Sequence, residues 1–145
     1  MKTGHVGLNV TDLDRSTDFY RRVLALDVVR ASEPGDPHRF AMLGRDGELV
    51  LTLWQQSTGA FRTDAPGLHH LSFEVADAES VRQAETTLKE IGATFAYEGV
   101  VPHREGSASG GIFFHDPDGT RLEIYTSRAD FTAPAPSDGA TCGFF

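Results

Sequence analysis

The chain has 145 residues, 39% hydrophobic and 23% charged, which is one domain's worth of ordinary soluble composition with enough apolar content for a core. A net charge of −8, from 13 basic and 21 acidic residues, argues against a nucleic-acid partner, whose phosphates require a basic surface. No apolar run is long enough to span a bilayer, the N-terminus lacks a signal-peptide pattern, and the single cysteine, Cys142, precludes an internal disulfide and a thiolate metal site; no membrane partner and a cytoplasmic location are expected.

Residues 5–10, HVGLNV, alternate, with Val6, Leu8 and Val10 on one face and His5, Gly7 and Asn9 on the other, predicting a strand with one buried face. Thr11 and Asp12 offer helix caps, and the helix they open runs to about Leu24, with Phe19, Tyr20, Val23 and Leu24 inward. Residues 38–43 and 48–55 predict two strands joined at Arg45-Asp46-Gly47. The pattern then restarts. HLSFEV at 70–75 alternates as the first strand does, Asp77 caps a second helix striped by Val81, Ala84, Leu88 and Ile91, and Gly92 stops it. Strands near 93–98, at 111–115 and, after a PDG turn, at 120–126 complete the set.

This is an internal repeat. A shift of 65 residues carries His5 onto His70, Val10 onto Val75 and Asp12 onto Asp77, and a shift of 72 carries Asp46-Gly47 onto Asp118-Gly119. Each half reads as strand–helix–three strands, so the expected class is α+β. Two βαβββ modules in tandem, about 3–58 and 67–127, make one domain over 1–127, with the natural site at the module junction. Residues 128–145, rich in Ala, Pro, Gly and Ser and ending in Phe144-Phe145, read as a tail that frays by default or docks through its apolar end.

His5, His70 and Glu123 share a parity. Each lies on a strand whose opposite face carries the core residues, so all three point away from the core. One strand histidine or one strand glutamate is commonly a surface residue. Two repeat-related imidazoles with a carboxylate on the same kind of face also make the donor set of non-haem iron(II) enzymes, and suit manganese, nickel or zinc as well. Asn9, Thr52, Ser72, Glu74, Arg121 and Tyr125 share that face. Arg121 could hold an anionic substrate or pair with Glu74, and Tyr125 could supply a hydroxyl. Trp54 could stack on an aromatic ligand or simply pack. His38 and His115 read as surface residues, and GSASGG at 106–111 lacks the strand–loop–helix setting of a phosphate loop, leaving a flap or turn.

GHVGLNVTDLDRSTDFYRRVLAL, GLHHLSFEV and GIFFHDPDGTRLEIY resemble the vicinal oxygen chelate superfamily over residues 3 to about 127. That superfamily includes glyoxalase I, type I extradiol dioxygenases, fosfomycin-resistance enzymes, methylmalonyl-CoA epimerase and bleomycin-resistance proteins. The resemblance implies cupped mixed sheets around a central metal-binding cleft, often in a homodimer. It places the ligands on His5, on His70 rather than His69, and on Glu123. Glyoxalase I-like members add a glutamate on the last strand of module one. Here the repeat register puts Leu51 at that place, or Thr52 with a slip of one, and neither is a useful ligand. A three-ligand set with open positions is closest to the extradiol dioxygenases. Their signature begins with a histidine, matched by His103 with a spacer about one residue longer than usual, and continues with a tyrosine where this chain has Phe113. Phe offers no strong hydrogen bond to a catechol. His103 could act as an acid or base, or be a mobile-loop histidine.

The expected function is therefore a divalent-metal enzyme, with Fe(II) favoured and Mn, Ni or Zn open. Its substrate would be small and chelate through vicinal oxygens, and dioxygenase-like chemistry leads. His103 and Tyr125 are candidate catalytic residues, and Asn9, Thr52, Trp54, Ser72, Phe113 and Arg121 candidate substrate contacts. A lyase or isomerase is the first alternative. An antibiotic- or metabolite-sequestering protein of the bleomycin-resistance type is another, and a scaffold in which these residues are inherited but unused comes last.

Overall fold

The structure, a computed structural model, describes residues 1–128, so the tail expected over 128–145 lies, apart from Arg128, outside the described residues. The chain divides into two compact units, Met1–Phe61 and Arg62–Phe145. The first contains β1 (Val6–Asn9), α1 (Leu13–Leu24), β2 (Asp27–Ala31), β3 (Phe40–Arg45) and β4 (Glu48–Trp54). Its sheet runs β1-β4-β3-β2, with β1 parallel to β4 and the other pairs antiparallel. The second contains β5 (Leu71–Glu74), α2 (Ala78–Glu90), β6 (Val101–Pro102), β7 (Gly110–His115) and β8 (Arg121–Thr126). Its order, β5-β8-β7-β6, repeats the first with the same parallel and antiparallel pairs. The tandem βαβββ fold is the one the repeat predicts.

Alternation decides which face of each sheet is buried. In the first unit Leu8, Ala41, Leu43, Leu51 and Leu53 are buried with Leu13, Phe19, Tyr20 and Val23 of α1. In the second Ile112, Phe114, Leu122 and Ile124 are buried with Val81, Ala84 and Leu88 of α2. Each large side chain so buried contributes on the order of 1.5–3 kcal/mol. Both helices open on a capping aspartate: Asp12 accepts from the Arg15 amide at 3.0 Å and Asp77 from the Ser80 amide at 2.8 Å. The end of α1 is closed from β3, where the Arg45 guanidinium donates to the Leu24 and Ala25 carbonyls.

Three features differ from the sequence reading. Strand β2 carries no alternation because all five of its residues are exposed on the sheet edge, with an irregularity between Val28 and Arg30. The strand expected near 93–98 is only a bridge from Phe95 to Phe114. The chain then turns at Gly99 (φ +70°), and the two-residue β6 takes the edge. Finally, Gly7 pairs with Thr52 as Ser72 pairs with Glu123, so Thr52 rather than Leu51 occupies the place of Glu123 in the repeat. An irregularity between Leu43 and Gly44, beside the β3–β4 turn, accounts for the one-residue slip.

Gly111, opposite Tyr125, has no room for a side chain: a Cβ would collide with the Ile124 carbonyl oxygen and lie 2.7 Å from the Tyr125 Cα. Gly111→Ala should lower stability by about 1–3 kcal/mol, read from the shift of a denaturant midpoint. The Asp77 carboxyl is held below its ordinary range, first by the Ser80 amide and then by the Ser80 hydroxyl. A folded-state pKa below the unfolded one gives stability that is present above the unfolded pKa and lost as pH falls through the folded one. The stability difference between the wild type and Asp77→Ala should therefore shrink on acidification from about pH 7 to about pH 3. Thermal melts of the pair check this.

Candidate functional site

Glu123 lies at the centre of the second sheet, between Ser72 on β5 and Phe113 on β7, on the face turned away from α2. It is 1% exposed, so its charge depends on protein partners rather than water. His103, in the segment between β6 and β7, brings Nε2 to 2.5 Å from Glu123 Oε1. Its other ring nitrogen, Nδ1, lies 2.7 Å from the Ser109 hydroxyl, and its backbone amide donates to the Ser109 carbonyl at 2.9 Å. The ring also packs against Phe113 and Tyr125, at centroid distances of 6.0 and 5.4 Å. Burial works to raise the Glu123 carboxyl. Hydrogen bonds from His103 and Ser72, with the electrostatic influence of the neighbouring imidazoles, outweigh burial and hold it below its ordinary range. The carboxylate is thus ionised, and His103 must donate to it from a protonated Nε2.

His70 approaches the other carboxylate oxygen, with Nε2 3.8 Å from Oε2. That is too long for a hydrogen bond. Its Nδ1 is engaged by His69 Nδ1 at 2.8 Å, which turns Nε2 toward Glu123. Burial lowers the His70 pKa; Glu123 opposes this, while His69 and Arg121 add to it. The ring is therefore biased toward its neutral, electron-donating form. Two donors sharing an ion at ~2.0–2.2 Å each stand no more than about 4 Å apart, so the His70–Glu123 gap is one that a divalent cation can bridge. Among the described residues of the second unit, no group of three His, Cys, Asp or Glu side chains forms a complete metal cage; the unit supplies this pair.

Of the expected site residues, the second unit brings together His70, Ser72, His103, Phe113, Glu123 and Tyr125, with Arg121 beside His69 at 3.5 Å. Glu74 accepts from the Ser127 hydroxyl at 2.6 Å. In the first unit His5 is exposed two residues ahead of Gly7. Register puts Gly7 and Asn9 beside Thr52 and Trp54 on the sheet face opposite the core. Thr52 is buried and accepts the Trp54 indole N–H at 3.1 Å, so it positions that ring. Two contributors escaped the sequence reading. His69 is set aside in favour of His70 in the sequence reading, yet the adjacent imidazoles are a signal for their contact. Ser109 sits in a small-residue run that carries no pattern.

Ser109→Ala removes the partner of His103 Nδ1. It should cost about 0.5–1.5 kcal/mol of stability. It should also move the Nδ1 resonance in a 15N imidazole spectrum while the protonated Nε2, held by Glu123, stays in place.

Comparison with known proteins agrees with this architecture. The chain is 26% identical to catechol-2,3-dioxygenase of Bacillus subtilis (strain 168) over 139 residues, covering 94% of this chain and 45% of that enzyme. It thus spans about half the length of that relative. It is 30% identical to lactoylglutathione lyase of Haemophilus influenzae, covering 89% of this chain and 95% of that one. A glyoxylase/bleomycin resistance protein/dioxygenase domain from Frankia sp. EAN1pec superposes with a TM-score of 0.72 at 28% identity, over 90% of this chain and 95% of that one. Residues 2–124 match the Glyoxalase/Bleomycin resistance protein/Dioxygenase superfamily, and the chain belongs to it.

Proposed function

We propose that the protein is a divalent-metal enzyme acting on a small substrate that chelates through vicinal oxygens, with dioxygenase-like chemistry. The observation that carries this reading is the ionised, buried Glu123 carboxylate facing the neutral-biased His70 Nε2 across 3.8 Å. His70 and Glu123 would hold the metal, with His5 as the third ligand implied by the family resemblance. A metal bound there would supply Lewis acidity and, if it is iron(II), activation of oxygen; manganese, nickel and zinc suit the same donors.

Around that pair the chain's own residues have distinct tasks. His69 orients the His70 ring, and Ser72 keeps the carboxylate ionised. His103 holds a proton at Nε2 against Glu123 and can exchange one with substrate, with Ser109 fixing its ring. Tyr125 supplies a hydroxyl near His103, and Arg121 supplies positive charge for an anionic group. Phe113, fully buried, contributes packing rather than a hydrogen bond. A homodimer in a reducing cytoplasm completes the reading.

A lyase or isomerase is the second reading, favoured by the near full-length match to the lactoylglutathione lyase. Thr52 weighs against it. It stands in the place of Glu123 in the first module, carries no carboxylate for a fourth ligand, and is committed to Trp54. The presence of the His70 and Glu123 donors counts against a purely sequestering protein, which needs no metal ligands.

The test is metal content. Protein purified without a tag and under anaerobic conditions should carry near-stoichiometric metal, and His70→Ala/Glu123→Ala none. Iron in that assay, with oxygen uptake on phenolic substrates, supports the dioxygenase reading; nickel, zinc or manganese moves it to the lyase or isomerase. Wild-type protein that takes up no metal even on reconstitution overturns the enzyme reading.

A further inference from the structure

We propose that the face of the first sheet opposite α1 carries a binding platform for an aromatic anion of the benzoate type, built from Trp54, Phe40 and Arg30. Phe40 and Trp54 are direct partners across β3 and β4, and their rings lie 5.5 Å apart at 31°. Both are only partly buried, although the sheet's core residues are on its other face. Two rings tilted so slightly from parallel present a broad apolar surface, which a third ring can extend by offset stacking. The indole N–H is taken by the Thr52 hydroxyl. That bond sets the ring's angle and leaves its π-face as the recognition surface.

The residue beside this pair is the one that leaves room. Gly7 is paired with Thr52, and a Cβ there would come within 3.3 Å of the Thr52 hydroxyl and 3.8 Å of the Trp54 indole nitrogen. A side chain at this position would press on the Thr52 hydroxyl, the group that sets the angle of the indole. Glycine avoids that contact without any special backbone angle, so its role here is space.

Arg30 supplies the charge. Register aligns it with Met42, one step along the face from Phe40, and its guanidinium carbon lies 5.7 Å from the Phe40 ring centroid. Among the described residues no carboxylate pairs with it, in a chain whose acids outnumber its bases by 21 to 13. A guanidinium over a ring keeps its edge N–H groups available in the fork that matches a carboxylate. Ring and anion together are what the platform fits: a neutral arene leaves Arg30 unused, and a small anion leaves the rings unused. As an assignment of substrate class this rests on the enzyme reading above; as a binding site it does not.

Trp54 is the chain's only tryptophan, so its emission reports on this face alone. Metal-free full-length protein is titrated with benzoate, benzyl alcohol and acetate, excited where benzoate does not absorb, with saturation-transfer NMR on the same ligands. Benzoate should change Trp54 emission saturably and bind about tenfold more tightly than benzyl alcohol, with no effect of acetate. Arg30→Gln should erase that preference and leave benzyl alcohol unchanged, while Phe40→Leu should weaken both. The proposal is overturned if benzoate gives neither an emission change nor saturation transfer, as when a second copy of this chain covers the face. It is equally overturned if benzoate and benzyl alcohol bind alike, or if Arg30→Gln binds benzoate as the wild type does. Because no metal takes part, the result is independent of the metal-content assay.

Discussion

A carboxylate with almost none of its surface in water is the constraint around which the second module is organised. Isolating an ion from water costs several kcal/mol unless its oxygens are well partnered. Glu123 is partnered by three side chains from two segments: His70 and Ser72 at the start of β5, and His103 between β6 and β7. Those contacts exist only in one register. Slipping β5 against β8 by a single residue would set Leu71 or Phe73 beside the acid, and the charge would lose its hydroxyl. The pairing is thus specified twice, by the apolar face under α2 and by the polar face around the carboxylate.

The same logic explains the backbone near the site. The short β6 and the glycine at 111 bring the segment carrying His103 close over β7 and β8, where the ring rests on Phe113 and Tyr125. Downstream, Asp116 folds the DPDG turn by accepting from the Asp118 and Thr120 amides at 2.9 and 2.7 Å, and Gly119 takes the left-handed angle the turn requires. That turn sets the start of β8, two residues before Glu123. A motif readable as a plain reversal is therefore also what fixes the phase of the carboxylate.

Much of this was legible in the chain because it is periodic. Alternation placed His70, Ser72 and Glu123 on one face and Leu122 and Ile124 on the other, and the repeat gave two modules with matching order. What stayed hidden lacked a period or depended on distance in sequence. Strand β2 is exposed throughout, so nothing in it alternates. The irregularity between Leu43 and Gly44 moved the repeat register by one, which turn matching alone could not detect. The bond between His103 and Glu123 spans 20 residues and rests on Ser109, a serine indistinguishable in composition from its neighbours. Resemblance singled out His103, but only the fold attaches it to a particular oxygen of a particular acid.

Comparing equivalent places in the two modules shows how a duplicated scaffold divides its chemistry. At the position where the second sheet carries an ionised glutamate, the first carries Thr52, whose hydroxyl serves an indole. Where the second has Ser72, donating to that glutamate, the first has Gly7, donating nothing and filling nothing. These substitutions are mutually consistent. With Thr52 rather than an acid in the first sheet no donor is needed opposite it, and the glycine there faces the Thr52 hydroxyl and the Trp54 indole nitrogen. The second module buries a carboxylate on this face, whereas the first presents the Phe40 and Trp54 rings with Arg30 beside them. Topology is conserved between the two because it is set by the apolar faces under the helices. The opposite faces differ in kind: in the second module that face also fixes register, through the partners of Glu123, and in the first it carries Thr52, Trp54 and Phe40.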